Sequence, residues 1–216
     1  MKIKKLLGLI LAGATLATLP AFAACGTPED GGKNNGTLRM EAEYINLDDA
    51  QGAGISSNQA GVAMIHGDGD ATDKEKWSEG YYVGYTYATG LELTFEFNSD
   101  IATTATLTLL LGSELGDLTL VPEKFGIRVN GEEQTYTSFS VYGSADMEAA
   151  EFDKCVLPSP INLVAGKNTV TLVIYENDYK SGATGGPMID YIEVKSANAN
   201  LTWTPKTDNP SKRGEI

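Results

Sequence analysis

Glu41 and Glu43 stand two residues apart in the run Met40-Glu41-Ala42-Glu43-Tyr44. In an extended strand that spacing puts both carboxylates on one face. Paired carboxylates suit two kinds of chemistry. They hold a hard cation through oxygen, or they act as acid and base on a glycosidic bond. The chain contains 29 Asp and Glu, so pairing alone carries no specificity for hydrolysis. A second acidic run, Asp68-Gly69-Asp70-Ala71-Thr72-Asp73, is spaced superficially like a calcium loop. It lacks the sixth-position glycine and the distal glutamate of an EF-hand, and reads as a polar loop of turn residues. His66 is the only histidine. That excludes multi-histidine zinc sites and argues against most His-based catalysis, Ser-His-Asp and Cys-His arrangements among it, and His66 itself reads as a loop or edge residue. No nucleophile elbow, phosphate loop, CxxC or HExxH is present.

The formal net charge is -13. A chain this acidic does not neutralise a phosphate backbone, so nucleic acid is excluded as a partner. Residues 1–24 read as an export signal. Lys2, Lys4 and Lys5 form a positive start, residues 6–19 an apolar stretch, and Pro20 breaks it before a run of small residues. Two cleavage readings are open. Ala21-Phe22-Ala23 fits cleavage before Ala24, whereas Phe22-Ala23-Ala24-Cys25 is similar to a bacterial lipobox with Cys25 as the lipidated first residue. The lipobox reading predicts a lipid anchor at the cell surface as the only membrane contact. Cys155 is the other cysteine. With Cys25 lipidated it has no partner, and it reads as a small buried hydrophobe in a strand over residues 151–157.

Strands carry most of these side chains. Residues 26–37 are Gly- and Asn-rich and read as a flexible tether. Residues 38–195 form the domain, and residues 196–216 a polar tail in which Trp203 is the one residue expected to pack back. Residues 38–47 read as the first strand. Residues 81–87 and 91–97 read as a hairpin across Ala88-Thr89-Gly90. Leu91, Leu93, Phe95 and Phe97 alternate with Glu92, Thr94 and Glu96, the period-two mark of a half-buried strand. Residues 104–111 read as a central strand. Residues 125–129 run into Asn130-Gly131, a hairpin signal, with residues 135–142 returning. Residues 144–151 have room for one helical turn. Residues 169–175 and 188–194 are the last strands. About ten short strands at this spacing predict an all-β, antiparallel β-sandwich.

Four segments carry a resemblance: Met40-Glu41-Ala42-Glu43-Tyr44, Gly80-Tyr81-Tyr82-Val83-Gly84-Tyr85, Ala165-Gly166-Lys167-Asn168-Thr169-Val170, and Pro187-Met188-Ile189-Asp190-Tyr191-Ile192-Glu193-Val194. In this order they resemble the carbohydrate-binding modules of families 6 and 35, which are galactose-binding-like β-jelly rolls. The likeness runs over residues 38–195. The region 112–160 is longer than such modules usually need. The resemblance implies a structural calcium held by Glu41, Glu43 and Asp190, with the first and last strands side by side.

It also implies a ligand site on the loops at one end of the sandwich. Sugars are bound by flat aromatic rings against their C–H faces and by polar groups that meet their hydroxyls. Trp77 lies in a charged loop, Tyr82 and Tyr85 flank Val83-Gly84, and Tyr142 ends a strand beside Gly143. Asn177, Asp178 and Tyr179 lie in the loop before the closing strand. These seven are the expected ligand contacts. Tyr81, Tyr87, Tyr175 and Tyr191 read as sheet-packing residues. The expectation is a monomeric, non-catalytic module that binds poly- or oligosaccharide, with neutral glycans the better match to an acidic domain. A surface adhesin using the same sandwich for protein contact, and a small glycoside-active enzyme, are the alternatives.

Overall fold

The computed structural model describes residues 36–47, 64–67, 71–74, 76–86, 89–113, 116–143, 152–176 and 186–207. The export signal, Cys25, most of the tether, Asp68, Asp70, residues 144–151, Asn177, Asp178, Tyr179 and the end of the tail lie outside the described residues. Fourteen strands are present among those described: β1 Thr37–Glu41, β2 Met64–His66, β3 Tyr82–Gly84, β4 Glu92–Ser99, β5 Thr103–Gly112, β6 Leu118–Leu120, β7 Phe125–Val129, β8 Glu132–Glu133, β9 Phe139–Val141, β10 Phe152–Val156, β11 Ile161–Leu163, β12 Gly166–Ile174, β13 Met188–Lys195 and β14 Leu201–Thr202.

They form an antiparallel β-sandwich. One sheet runs β10-β5-β13-β3-β2, with β1 on β13 and β11 on β5. The other runs β14-β4-β12-β7-β8. Alternation decides which side chains go inward. Leu91, Leu93, Phe95 and Phe97 are buried, while Glu92 and Glu96 face solvent. From the facing sheet, Leu107, Leu109 and Leu111 of β5 and Ile189, Ile192 and Val194 of β13 fill the same core cluster. Cys155 joins it, and burial pushes its thiol up to about 11.

Turn chemistry sets the edges. Asn130 and Gly131 both have positive φ, at 53° and 83°, as a two-residue hairpin of the primed type requires. Asn168 is fully buried and ties two turns together. Its side-chain oxygen accepts from Val164 N–H and Asn130 Nδ2, and its Nδ2 donates to the Val164 and Gly166 carbonyls, each at 2.9 Å.

The structure corrects four expectations. Strands β3 and β4 lie in different sheets, so residues 81–97 are a crossover between layers and not a hairpin. The return from Asn130-Gly131 is only Glu132–Glu133; Phe139–Val141 pairs instead with Leu118–Leu120 in a separate two-stranded ribbon. That ribbon sends Leu118, Leu120, Phe139 and Val141 into the core, which accounts for part of the long 112–160 region. The first strand stops at Glu41, and a 3-10 turn, Ala42–Tyr44, follows it. Pairing continues past Lys195: β14 joins β4, and Lys206 N–H donates to the Tyr44 carbonyl at 2.7 Å, while Trp203 packs against the core as the sequence predicts.

Candidate functional site

Strands β1 and β13 are direct neighbours, in antiparallel register with Glu41 opposite Tyr191. Three carboxylates meet there by three different local devices. Glu41 is the last residue of β1. Glu43 sits in the 3-10 turn, so its placement comes from that turn and not from strand alternation. Asp190 occupies a bulge in β13, where the register against β5 slips between Ile189 and Tyr191. A bulge re-aims the side chain of its extra residue, and here it sends an acid inward. Exposure is 7% for Glu41, 2% for Glu43 and 1% for Asp190, so none of them is a solvated strand residue.

One neighbour stitches the cluster. Ser78 Oγ donates to Glu41 Oε1 at 2.9 Å, and Ser78 N–H donates to Asp190 Oδ2 at 3.2 Å. Glu41 Oε2 and Asp190 Oδ1 are buried with no hydrogen-bond partner. Burial is the main cause that pushes all three carboxyls up, to about 8 for Glu41, about 9 for Glu43 and about 7 for Asp190. The neighbouring acids add to the rise for Glu41 and Glu43.

Two observations pull apart here. Among the described residues, no group of three His, Cys, Asp or Glu side chains is arranged to hold a metal ion as it stands. Yet two carboxylate oxygens are sealed from water without a donor. The burial weighs more. A buried, uncompensated carboxylate costs several kcal/mol whatever its rotamer, whereas three carboxyls close on a cation by side-chain rotation. An all-oxygen donor set suits a hard cation.

The aromatic residues expected at the ligand divide. Trp77 is half-buried and directly precedes Ser78, so the carboxylate cluster anchors its loop. Tyr82 is a correction. It is 1% exposed, with its ring edge-on to Trp77 at 4.8 Å and to Phe152 at 5.8 Å. The strand sends it into the core, so it supports the Trp77 ring and presents no face to a sugar. Tyr85 is half-buried with φ at 56°. Glu79 has the same left-handed backbone, at 55°. Non-glycine residues in that region are uncommon and gather at binding sites. Thr86 Oγ1 donates to the Pro187 carbonyl at 2.7 Å, which ties the segment after Tyr85 to the residue just before β13. Tyr142 is 53% exposed at the end of β9, and its N–H donates to Asp153 Oδ2 at 2.6 Å.

Ser78 is the member of the cluster that sequence reasoning misses. Its signal is slight: a hydroxyl directly after the loop tryptophan, with no spacing that links it to Glu41 or Asp190.

No family model matches the chain, and no curated protein matches it. The chain is similar to several family 35 carbohydrate-binding modules of known structure. One is the module from the Abf62 protein of Cellvibrio japonicus, at 15% identity over 77% of this chain and 98% of that one, with a TM-score of 0.45. Another is a module from Clostridium thermocellum, at 21% identity over 73% and 98%, with a TM-score of 0.44. A third similar structure is the GH26-CBM35 β-(1,4)-mannanase of Podospora anserina, at 18% identity and a TM-score of 0.47. There the match covers 75% of this chain and 28% of that one, so this chain spans about a quarter of the mannanase.

Proposed function

We propose that this chain is a non-catalytic carbohydrate-binding domain, stiffened by a structural calcium and carried on an exported, lipid-anchored bacterial surface protein. The observation that carries the reading is the convergence of Glu41, Glu43 and Asp190 where β1 meets β13, next to the Trp77 loop. It matches the arrangement implied by the family 6 and 35 resemblance. Glu41, Glu43 and Asp190 would hold the ion. When bound, calcium supplies positive charge that compensates buried carboxylates. Ser78 orients two of those carboxyls and fixes the Trp77 backbone. The cluster is a poor hydrolytic centre, because acids this deeply buried do not reach a polymer substrate.

The ligand reading places Trp77 and Tyr85 on one side, with Asn177, Asp178 and Tyr179 of the 177–185 loop, and Tyr142 more loosely, as further contacts. Trp77→Ala and Asn177→Ala are each expected to weaken binding on an array of neutral glycans about tenfold or more, with folding retained. Loss of fold in either variant would return that residue to the core. A clean array together with capture of a protein partner would favour the adhesin. Labelled palmitate is expected to mark the wild type and to be lost in Cys25→Ser; an unlabelled wild type removes the lipid anchor.

A further inference from the structure

We propose that the end of the sandwich where the chain enters is a membrane-contacting tip, at which Ile101 and Val164 rest in the headgroup boundary of a lipid bilayer. The inference rests on the lipid-anchor part of the reading above and on none of its sugar contacts.

Two turns form the tip. One is residues 100–102, between β4 and β5; the other is residues 164–165, between β11 and β12. Pairing sets them side by side, since Leu163 stands opposite Thr103 and Gly166 opposite Ser99. Turns at a solvated end normally take Gly, Asn, Asp or Ser. Here they carry Ile101-Ala102 and Val164-Ala165, and all four residues are exposed. Ile101 is 43% and Val164 49% exposed, two of the four large hydrophobics exposed among the described residues. A single exposed apolar side chain is ordinary, but two on neighbouring turns make a patch.

The patch is held outward. Ser99 Oγ donates to the Ile101 carbonyl at 2.7 Å. Both carboxylate oxygens of Asp100 accept from Asn200, from its N–H at 2.8 Å and from its Nδ2 at 2.6 Å. On the other turn the buried Asn168 side chain bonds both the N–H and the carbonyl of Val164, each at 2.9 Å. With both backbones fixed, the two side chains cannot swing into the core.

The same contacts lead to the chain's entry. Ser196 N–H donates to the Gly36 carbonyl at 2.5 Å. Gly36 has a positive φ of 76°, and a Cβ there would lie 1.7 Å from the Ser196 carbonyl oxygen. Asp100 N–H donates to the Asn200 carbonyl at 3.2 Å, so residues 196–200 join the entry to the 100–102 turn. Gly36 lies eleven residues after Cys25. Eleven residues reach at most about 40 Å, and a Gly-rich chain of that length typically spans about 18 Å. A lipid on Cys25 therefore keeps this end of the domain nearest the bilayer. Strand β5 runs from Thr103 at the tip to Gly112, roughly 30 Å away. The carboxylate cluster lies toward that far end, where Tyr191, opposite Glu41, stands against Leu110.

Size and place select the occupant. A stable pair of protein surfaces needs about 800 Å² from each partner, more than four small side chains on two turns supply. A bilayer asks for less, because the anchor makes the contact intramolecular, at an effective concentration on the order of millimolar. Branched aliphatic side chains suit the acyl boundary, and Lys195, exposed opposite Thr37 beside the entry, suits headgroup phosphate. With the tip seated, the far end points away from the membrane.

The acylated full chain with Ala102→Cys is spin-labelled; the lipid blocks Cys25, and Cys155 is buried. It is placed in vesicles of phosphatidylethanolamine and phosphatidylglycerol. Collision of the label with a water-soluble nickel chelate is compared with that in the Cys25→Ser chain free in solution. The label at 102 is expected to lose accessibility about fivefold on the vesicle. A label at Glu123→Cys, exposed on the turn before β7 at the far end, is expected to keep its own. Ile101→Glu with Val164→Glu, both at exposed positions, is expected to restore access at 102 while the chain stays on the vesicle. An acylated chain that floats with vesicles yet leaves 102 as accessible as in solution overturns the tip contact and leaves the anchor standing. A wild type without lipid removes the anchor, and the contact with it. Protection at 102 that grows with protein concentration in the Cys25→Ser chain, without vesicles, assigns the patch to a second copy and overturns the bilayer.

Discussion

In excess chelator the protein is expected to melt roughly 10 °C lower at pH 8 than at pH 5, and added calcium is expected to remove most of that difference. The direction follows from Glu41, Glu43 and Asp190. Their ordinary values are 4.5, 4.5 and 3.8; in the metal-free fold burial raises them to about 8, 9 and 7. Between those limits the folded chain holds protons that the unfolded chain has released. Stability from these groups is therefore complete below about pH 4 and is lost as pH rises through about 7 to 9. A tenfold difference in proton affinity between folded and unfolded chain is worth about 1.4 kcal/mol, and even a heavily discounted sum over three coupled groups leaves roughly 4 kcal/mol. At about 2–4 °C per kcal/mol for a domain of this size, that gives the stated fall of about 10 °C. Asp100 acts in the opposite sense. The Asn200 side chain holds its carboxyl below the ordinary value, so its contribution fades only as pH falls. Calcium competes with the protons, so its affinity should climb from pH 5 to pH 8. Differential scanning fluorimetry across that range, with and without chelator, reads both effects. A melt that stays level with pH in chelator, or that calcium leaves unchanged, removes the metal from the proposal.

The parts of the fold legible in the sequence are those that local physics determines. Period-two alternation places Leu91 to Phe97 correctly, because a strand with one buried face has no other way to arrange that pattern. Asn130-Gly131 announces its turn, because few residue pairs accept positive φ twice. What stays hidden depends on partners far away in the chain. Ala88-Thr89-Gly90 looks the same whether the next strand pairs beside the last or crosses to the other sheet, and here it crosses. The bulge at Asp190 leaves no trace in Met188-Ile189-Asp190-Tyr191, yet it is what turns the acid inward. Glu43 comes to the right cluster for a different reason: the strand ends at Glu41, and the 3-10 turn delivers the side chain instead. In the candidate site, residue types are readable and orientation is not. Alternation fixes two faces of a strand but does not say which face meets the core.

Tyr82 is where that ambiguity has its largest consequence, and Tyr82→Ala is expected to lower the melting temperature by about 10 °C or more. The side chain is 1% exposed, among the largest fully buried groups of the domain, and its ring contacts both Trp77 and Phe152. Removing a buried aromatic ring costs about 3–5 kcal/mol through lost transfer energy and the cavity that remains. The cavity would open directly under Trp77. The indole would lose its edge-to-face partner, and the loop carrying Ser78 would lose part of its support. Sugar binding at the loop end should therefore weaken along with stability, although Tyr82 touches no ligand. Tyr82→Phe separates the two roles. It keeps the ring and removes only the hydroxyl, so it should cost about 1 kcal/mol and leave binding near wild type. A contact residue would show the reverse: Tyr82→Phe would lose affinity at an unchanged melt, and Tyr82→Ala would spare the fold. Melting curves and glycan titrations on both variants, in calcium at pH 8, decide between the two. The outcome bears on Trp77 as well, because a ring held from beneath by Tyr82 is pre-organised for a sugar and one without that support is not.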